Sequence, residues 1–115
     1  MSQLTLNLTQ GAVTFKFAPD SAKALKAEIQ KLMQTLKAIA SERAAGVKKT
    51  SPQPNMEYRY AGDVFLEVFC NPNIYATPFA AKVLITVRDE RLRLTTEAEL
   101  TQLIEDINSY LEQAA

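Results

Sequence analysis

At 115 residues, 47% hydrophobic and 23% charged, the chain has the size and composition of one globular domain that builds its core without covalent staples. Thirteen Lys and Arg balance thirteen Asp and Glu, and the pI of about 6.3 is far below that of a typical nucleic-acid domain. Histidine is absent and cysteine occurs once, which excludes the commonest general base, the commonest metal ligand and any internal disulfide.

The first stretch alternates. Leu4, Leu6 and Leu8 interleave with Thr5, Asn7 and Thr9, and Val13, Phe15 and Phe17 with Ala12, Thr14 and Lys16, the period-2 pattern of two half-buried strands. A two-residue turn at Gln10-Gly11 pairs Leu8 with Val13, Leu6 with Phe15 and Leu4 with Phe17. Pro19-Asp20-Ser21 then breaks the strand and offers a helix cap. From about Ser21 to Ala45 strong helix formers dominate, and Gly46 suits the position just past the helix end. Leu25, Ile29, Leu32, Leu36 and Ile39 recur at 4, 3, 4 and 3, one apolar stripe. Such a helix is roughly 36 Å long. Strands here span about 17–20 Å, so the helix is expected to overhang the sheet. Leu36 and Ile39 then need cover, either from a second copy of the helix or from the following loop folding back.

Lys48–Asn55 is a polar, proline-bearing crossover loop. Met56–Cys70 reads as a second hairpin around Ala61-Gly62-Asp63, pairing Tyr60 with Val64, Tyr58 with Leu66 and Met56 with Val68. Its other face carries Glu57, Arg59, Phe65, Glu67 and Phe69, and two phenylalanines among three charges do not make a plainly solvated surface. Asn71–Pro78 turns the chain. Val83, Ile85 and Val87 then alternate with Leu84, Thr86 and Arg88, and a turn at Asp89-Glu90 pairs Val87 with Leu92 and Ile85 with Leu94. Thr96 and Glu99 fit a capping box, opening a helix with Leu100, Leu103, Ile104, Ile107, Tyr110 and Leu111 on one stripe.

The order ββ-α-βββ-α, with up to six strand segments, predicts a single α+β domain over residues 1–115. The expected form is a two-layer sandwich, one antiparallel sheet with both helices on one face. This order resembles that of roadblock, longin and profilin-like domains, small adaptor or regulatory modules, in topology alone.

No apolar run approaches the roughly 20 residues of a membrane span, and no signal-peptide core opens the chain, so a cytoplasmic protein is expected. Chemistry finds little purchase. Cys70 has no histidine to activate it and reads as a small buried hydrophobe. The glycines at 11, 46 and 62 are explained by turns or a cap and leave no phosphate-cradling loop. Glu97, Glu99, Glu105, Asp106 and Glu112 read as a helix surface. No catalytic residue, metal site or cofactor is expected.

Two binding classes stay open. An apolar centre with a charged rim (Phe65 and Phe69 with Arg59 and Glu67, extended by Leu36 and Ile39) predicts a protein-interaction module, a homodimer acting as adaptor, assembly or regulatory factor. The alternative starts from charge asymmetry: residues 1–49 hold eight bases against three acids, and residues 50–115 five against ten. Lys23, Lys26, Lys37, Lys48 and Lys49, with Arg91 and Arg93 on the open sheet, would then bind nucleic acid or a phosphate ligand. A basic helix surface beside an acidic one explains the same asymmetry with less.

Overall fold

A computed structural model describes residues 2–48 and 51–114. It is an α+β fold with the expected order of helices and six strands: β1 (Gln3–Asn7), β2 (Ala12–Lys16), α1 (Pro19–Ala44), β3 (Met56–Ala61), β4 (Phe65–Cys70), β5 (Lys82–Arg88), β6 (Arg93–Glu99) and α2 (Leu100–Ala114). Single-turn 3-10 helices at Pro72–Ile74 and Pro78–Ala80 punctuate the β4–β5 connection. The strands divide between two sheets, an antiparallel ribbon β1-β2 and an antiparallel meander β3-β4-β5-β6.

The core lies between the meander and a layer made of both helices and the ribbon. Met56, Tyr58, Leu66, Val68, Cys70, Val83 and Ile85 line one face of the meander. They join Leu25, Ile29 and Leu32 of α1, Leu103, Ile107 and Tyr110 of α2, and Leu4, Leu6 and Phe17 of the ribbon in one buried cluster. Phe17 is the hinge of that cluster. Its ring meets Phe15, Tyr60 and Tyr110 edge-on at centroid distances of 5.8, 4.7 and 6.0 Å, and the Tyr110 hydroxyl donates to its carbonyl. The Tyr58 hydroxyl donates to the Ser21 carbonyl at 2.9 Å, tying β3 to the first turn of α1.

Helix α1 begins two residues before the expected cap, with Pro19 in its first turn and no side-chain cap at Ala18. It ends as expected. Gly46 takes φ +89°, its N–H reaches the Arg43 carbonyl, and the Val47 N–H reaches that of Glu42 at 3.0 Å, a Schellman closure.

All three hairpins keep their expected faces and change partners by two residues. Leu6 pairs with Val13, Tyr58 with Val68, and Val87 with Leu94. The third turn therefore spans Asp89–Leu92. There the Asp89 carboxylate accepts from the N–H groups of Arg91 and Leu92 at 2.8 Å, which holds it below the usual carboxylate range. Leu92, expected on the apolar face, sits in that turn 75% exposed. The capping box at Thr96 and Glu99 does not form. These residues continue β6, with Thr96 opposite Ile85 and Glu99 opposite Lys82, and α2 starts after them.

Leu36 and Ile39 are each 1% exposed, which removes them from any interface. The β4–β5 connection folds back against the far half of α1. The Arg43 guanidinium donates to the Tyr75 carbonyl at 2.8 Å and the Asn73 carbonyl at 3.4 Å, closing that end.

Candidate interaction surface

Because side chains alternate along strands, the residues between the core positions of the meander all stand on its other face. Strand pairing sorts them into three rows across the four strands, with Lys82 and Glu99 a further pair on β5 and β6. Ala61, Phe65, Arg88 and Arg93 form one row, Arg59, Glu67, Thr86 and Thr95 the middle one, and Glu57, Phe69, Leu84 and Glu97 the third. The molecule measures 47 × 30 × 22 Å, and its shortest dimension suits two layers, not three. Among the described residues nothing is layered over this face. Arg88, Arg93, Thr95 and Glu97 are exposed, and Leu84 is 42% exposed.

Phe65, Phe69, Arg59 and Glu67 therefore come together as expected. Both phenylalanines are half-buried by their neighbours. The Arg88 guanidinium lies 4.3 Å from the centroid of the Phe65 ring, a cation–π stack. The Arg59 Nε donates to Glu67 Oε2 at 2.7 Å, and its guanidinium also lies 3.9 Å from Glu57. Thr86, in the middle of the sheet and 6% exposed, shares a hydroxyl contact of 3.3 Å with Thr95. The face thus has an apolar diagonal, Phe65, Phe69 and Leu84, beside a closed ion pair.

Leu84 was legible in the sequence as an outward position of its strand, yet the expected interface omits it. Glu97 and Glu99, expected at a helix start, stand on β6 instead. The alternation Glu97-Ala98-Glu99 around a buried alanine is the signal that places them on a strand.

The cationic set does not assemble. Lys26 and Lys37 flank a groove of about 540 Å³ between α1 and α2, over Ile29, Met33, Ile104 and Ile107. Lys23 and Lys48 are exposed nearby in the chain, and Lys49 lies outside the described residues. Arg93 stands in the other layer, on the open sheet face, and Arg91 in the β5–β6 turn. Around Arg88 and Arg91, Asp63, Asp89 and Glu90 line the same shallow pocket and offset the positive charge.

Among the described residues no group of three His, Cys, Asp or Glu side chains could hold a metal ion. Cys70 is a free thiol, buried, and burial pushes it up to about 11, the opposite of an activated nucleophile. No described helix is long and apolar enough to cross a membrane. No family model, curated protein or solved structure matches this chain.

Proposed function

We propose that this chain is a non-enzymatic protein-interaction module that docks through the open face of its four-stranded sheet, and that it works as a homodimer in an adaptor, assembly or regulatory role. One observation carries the reading: Phe65, Phe69 and Leu84 occupy an otherwise uncovered sheet face, rimmed by charges. Apolar side chains clustered inside a polar rim are how recognition surfaces are composed. The fold supports the same reading, because α1, α2 and the ribbon already complete a core on the opposite side and these residues contribute nothing to it.

Light scattering on a sizing column, at low and at high salt, tests the proposal. The wild type elutes as a dimer in both, since an apolar interface is insensitive to salt whereas a polyanion complex weakens steeply. The double substitution F65S/F69S gives a folded monomer with an unchanged circular-dichroism spectrum. If that variant unfolds instead, the phenylalanines hold up the fold and the open face is no interface.

A further inference from the structure

The open face is unusual in how its charge is distributed along the strands. Arg88 and Arg93 are direct cross-strand partners at one end. Like charges placed opposite each other destabilise a sheet, and neither arginine makes an ion pair among the described residues. The other end carries the opposite sign: Glu57, Glu97 and Glu99 there outnumber one cation, Lys82, which stands opposite Glu99. Glu97 and Glu99 project from the same face of β6, Glu57 lies in the same row as Glu97, and neither Glu97 nor Glu99 is paired among the described residues. Arg88 stacks on Phe65, which leaves Arg93 and Glu97 as the two exposed charges of these rows that have neither an ion pair nor an opposite charge directly across the ladder. Arg93 and Glu97 cannot meet within one chain, because four residues of one strand separate them by about 13 Å.

The rows are also symmetric about the middle one. Phe65 and Phe69 lie two residues either side of Glu67, Arg93 and Glu97 either side of Thr95, and Arg88 and Leu84 either side of Thr86. We infer that two copies of this chain close face to face about a two-fold axis running across the strands, along the row Arg59, Glu67, Thr86 and Thr95. This deepens the proposal above and rests on its reading of the open face as the interface.

Rotation about that row brings Phe65 over Phe69 of the other copy, and Arg93 over Glu97 of the other copy, each contact occurring twice. Arg88 comes over Leu84 beside the same carboxylate. The middle row meets its own image, Arg59 over Arg59 and Glu67 over Glu67, and the ion pair within each copy offsets those like charges. The competing two-fold, parallel to the strands, sets Glu57 against Glu97 of the other copy and leaves Arg93 facing Ala61. It adds repulsion at the acidic end and leaves the basic end unanswered. Charge therefore selects the axis across the strands. Four strands at about 4.8 Å and six residues at about 3.3 Å make a face of roughly 20 Å square, about 800 Å² over the two copies, which makes this a weak, concentration-dependent dimer below the size of standard stable interfaces.

Charge reversal reads this arrangement directly. R93E sets carboxylate against carboxylate at both ends of the dimer, and E97R sets guanidinium against guanidinium. Each variant alone is expected to weaken self-association at least about tenfold in sedimentation equilibrium. An equimolar mixture of R93E with E97R has an attractive pair at both ends, and it dimerises within a few-fold of wild type. Circular dichroism and melting of each single variant confirm that it is folded, and recovery on mixing shows the same. If the wild type is monomeric at every concentration, the homodimer itself is overturned and the face belongs to a different protein. If the wild type dimerises and F65S/F69S abolishes it, while R93E, E97R and their mixture all behave as wild type, the face stands and this two-fold is overturned.

Discussion

Asp106 fastens the last helix to the first strand with a single carboxylate. It is 8% exposed and accepts from the Asn7 backbone N–H at 2.7 Å, the Asn7 side-chain amide at 2.9 Å and the Gln102 amide at 2.9 Å. Removing the acceptor strands those donors in a part-buried site, so Asp106→Ala is expected to cost about 2–3 kcal/mol in urea denaturation. Asp106→Asn costs about 1 kcal/mol or less, because the Asn7 and Gln102 amides can flip and present oxygens to the new amide. Equal losses in the two variants would mean that shape, not hydrogen bonding, is what matters there. Two other side chains tie stability to pH. Burial raises the Cys70 thiol from 9.0 to about 11 and, with Tyr60 adding to it, the Tyr58 phenol from 10.0 to about 12. Both groups are neutral when protonated and hold their protons more tightly in the folded chain. Their contribution is whole below the unfolded values and is lost as pH rises through the raised ones. The melting temperature should therefore fall between about pH 9 and 12, and Cys70→Ala and Tyr58→Phe should each flatten that fall. An unchanged slope in both variants would rule the two groups out as its cause. The burial of Cys70 and Tyr58 was legible in the sequence, but the role of Asp106 was not: it sits among four glutamates and reads as one more surface acid, since nothing local reveals that Asn7, 99 residues away, lies across from it.

At the scale of elements, what the sequence makes legible is parity. The apolar alternation of all three hairpins identifies the core face, and β1, β3 and β5 are buried on it, whereas Leu92 and Leu94 at the tip of the third hairpin are 75% and 39% exposed. Partners nevertheless change by two residues in every case, and the reason is physical. A slip of two returns each side chain to its own face and leaves hydrophobic burial untouched, so burial cannot decide between the registers. Turn chemistry decides instead. Asp89 closes a four-residue turn with its own carboxylate, and Leu8 and Gly11 close another, through the Leu8 N–H on the Gly11 carbonyl at 2.9 Å. The same competition explains Thr96 and Glu99. A capping box satisfies two amides, whereas continuing β6 satisfies a ladder opposite β5 and buries Ala98 to 1%. The ladder wins, and it is what delivers Glu97 to the open face. For α1 the helix itself was legible, but not its cover. Leu36 and Ile39 are buried on the half of α1 against which the β4–β5 connection packs, and Arg43 holds that connection by two distant carbonyls. The open face was readable for the opposite reason, since Phe65, Phe69, Arg59 and Glu67 belong to one hairpin and need only parity to come together.

At the scale of the molecule, the two faces of the meander are unlike, and on the proposed dimer that asymmetry would couple association to stability. One side of the meander is closed by two helices and a ribbon, and that ribbon is itself held by Asp106, Tyr110 and the Thr9 N–H on the Glu97 carbonyl. The other side carries Phe65, Phe69 and Leu84 outward. Glu97 belongs to both: its carbonyl receives the ribbon and its carboxylate faces outward with the third row. If two copies close on that face, native chains are drawn into dimers and unfolded chains are not, so mass action stabilises the fold as concentration rises. The wild-type melting temperature is therefore expected to climb across a concentration series from about 1 μM to about 1 mM, while that of F65S/F69S stays flat. The two curves should meet at the dilute end, where the wild type is monomeric and the two serines remove little that the monomer uses. Curves that stay parallel at every concentration would separate stability from association. They would assign Phe65 and Phe69 to holding the sheet together within one chain.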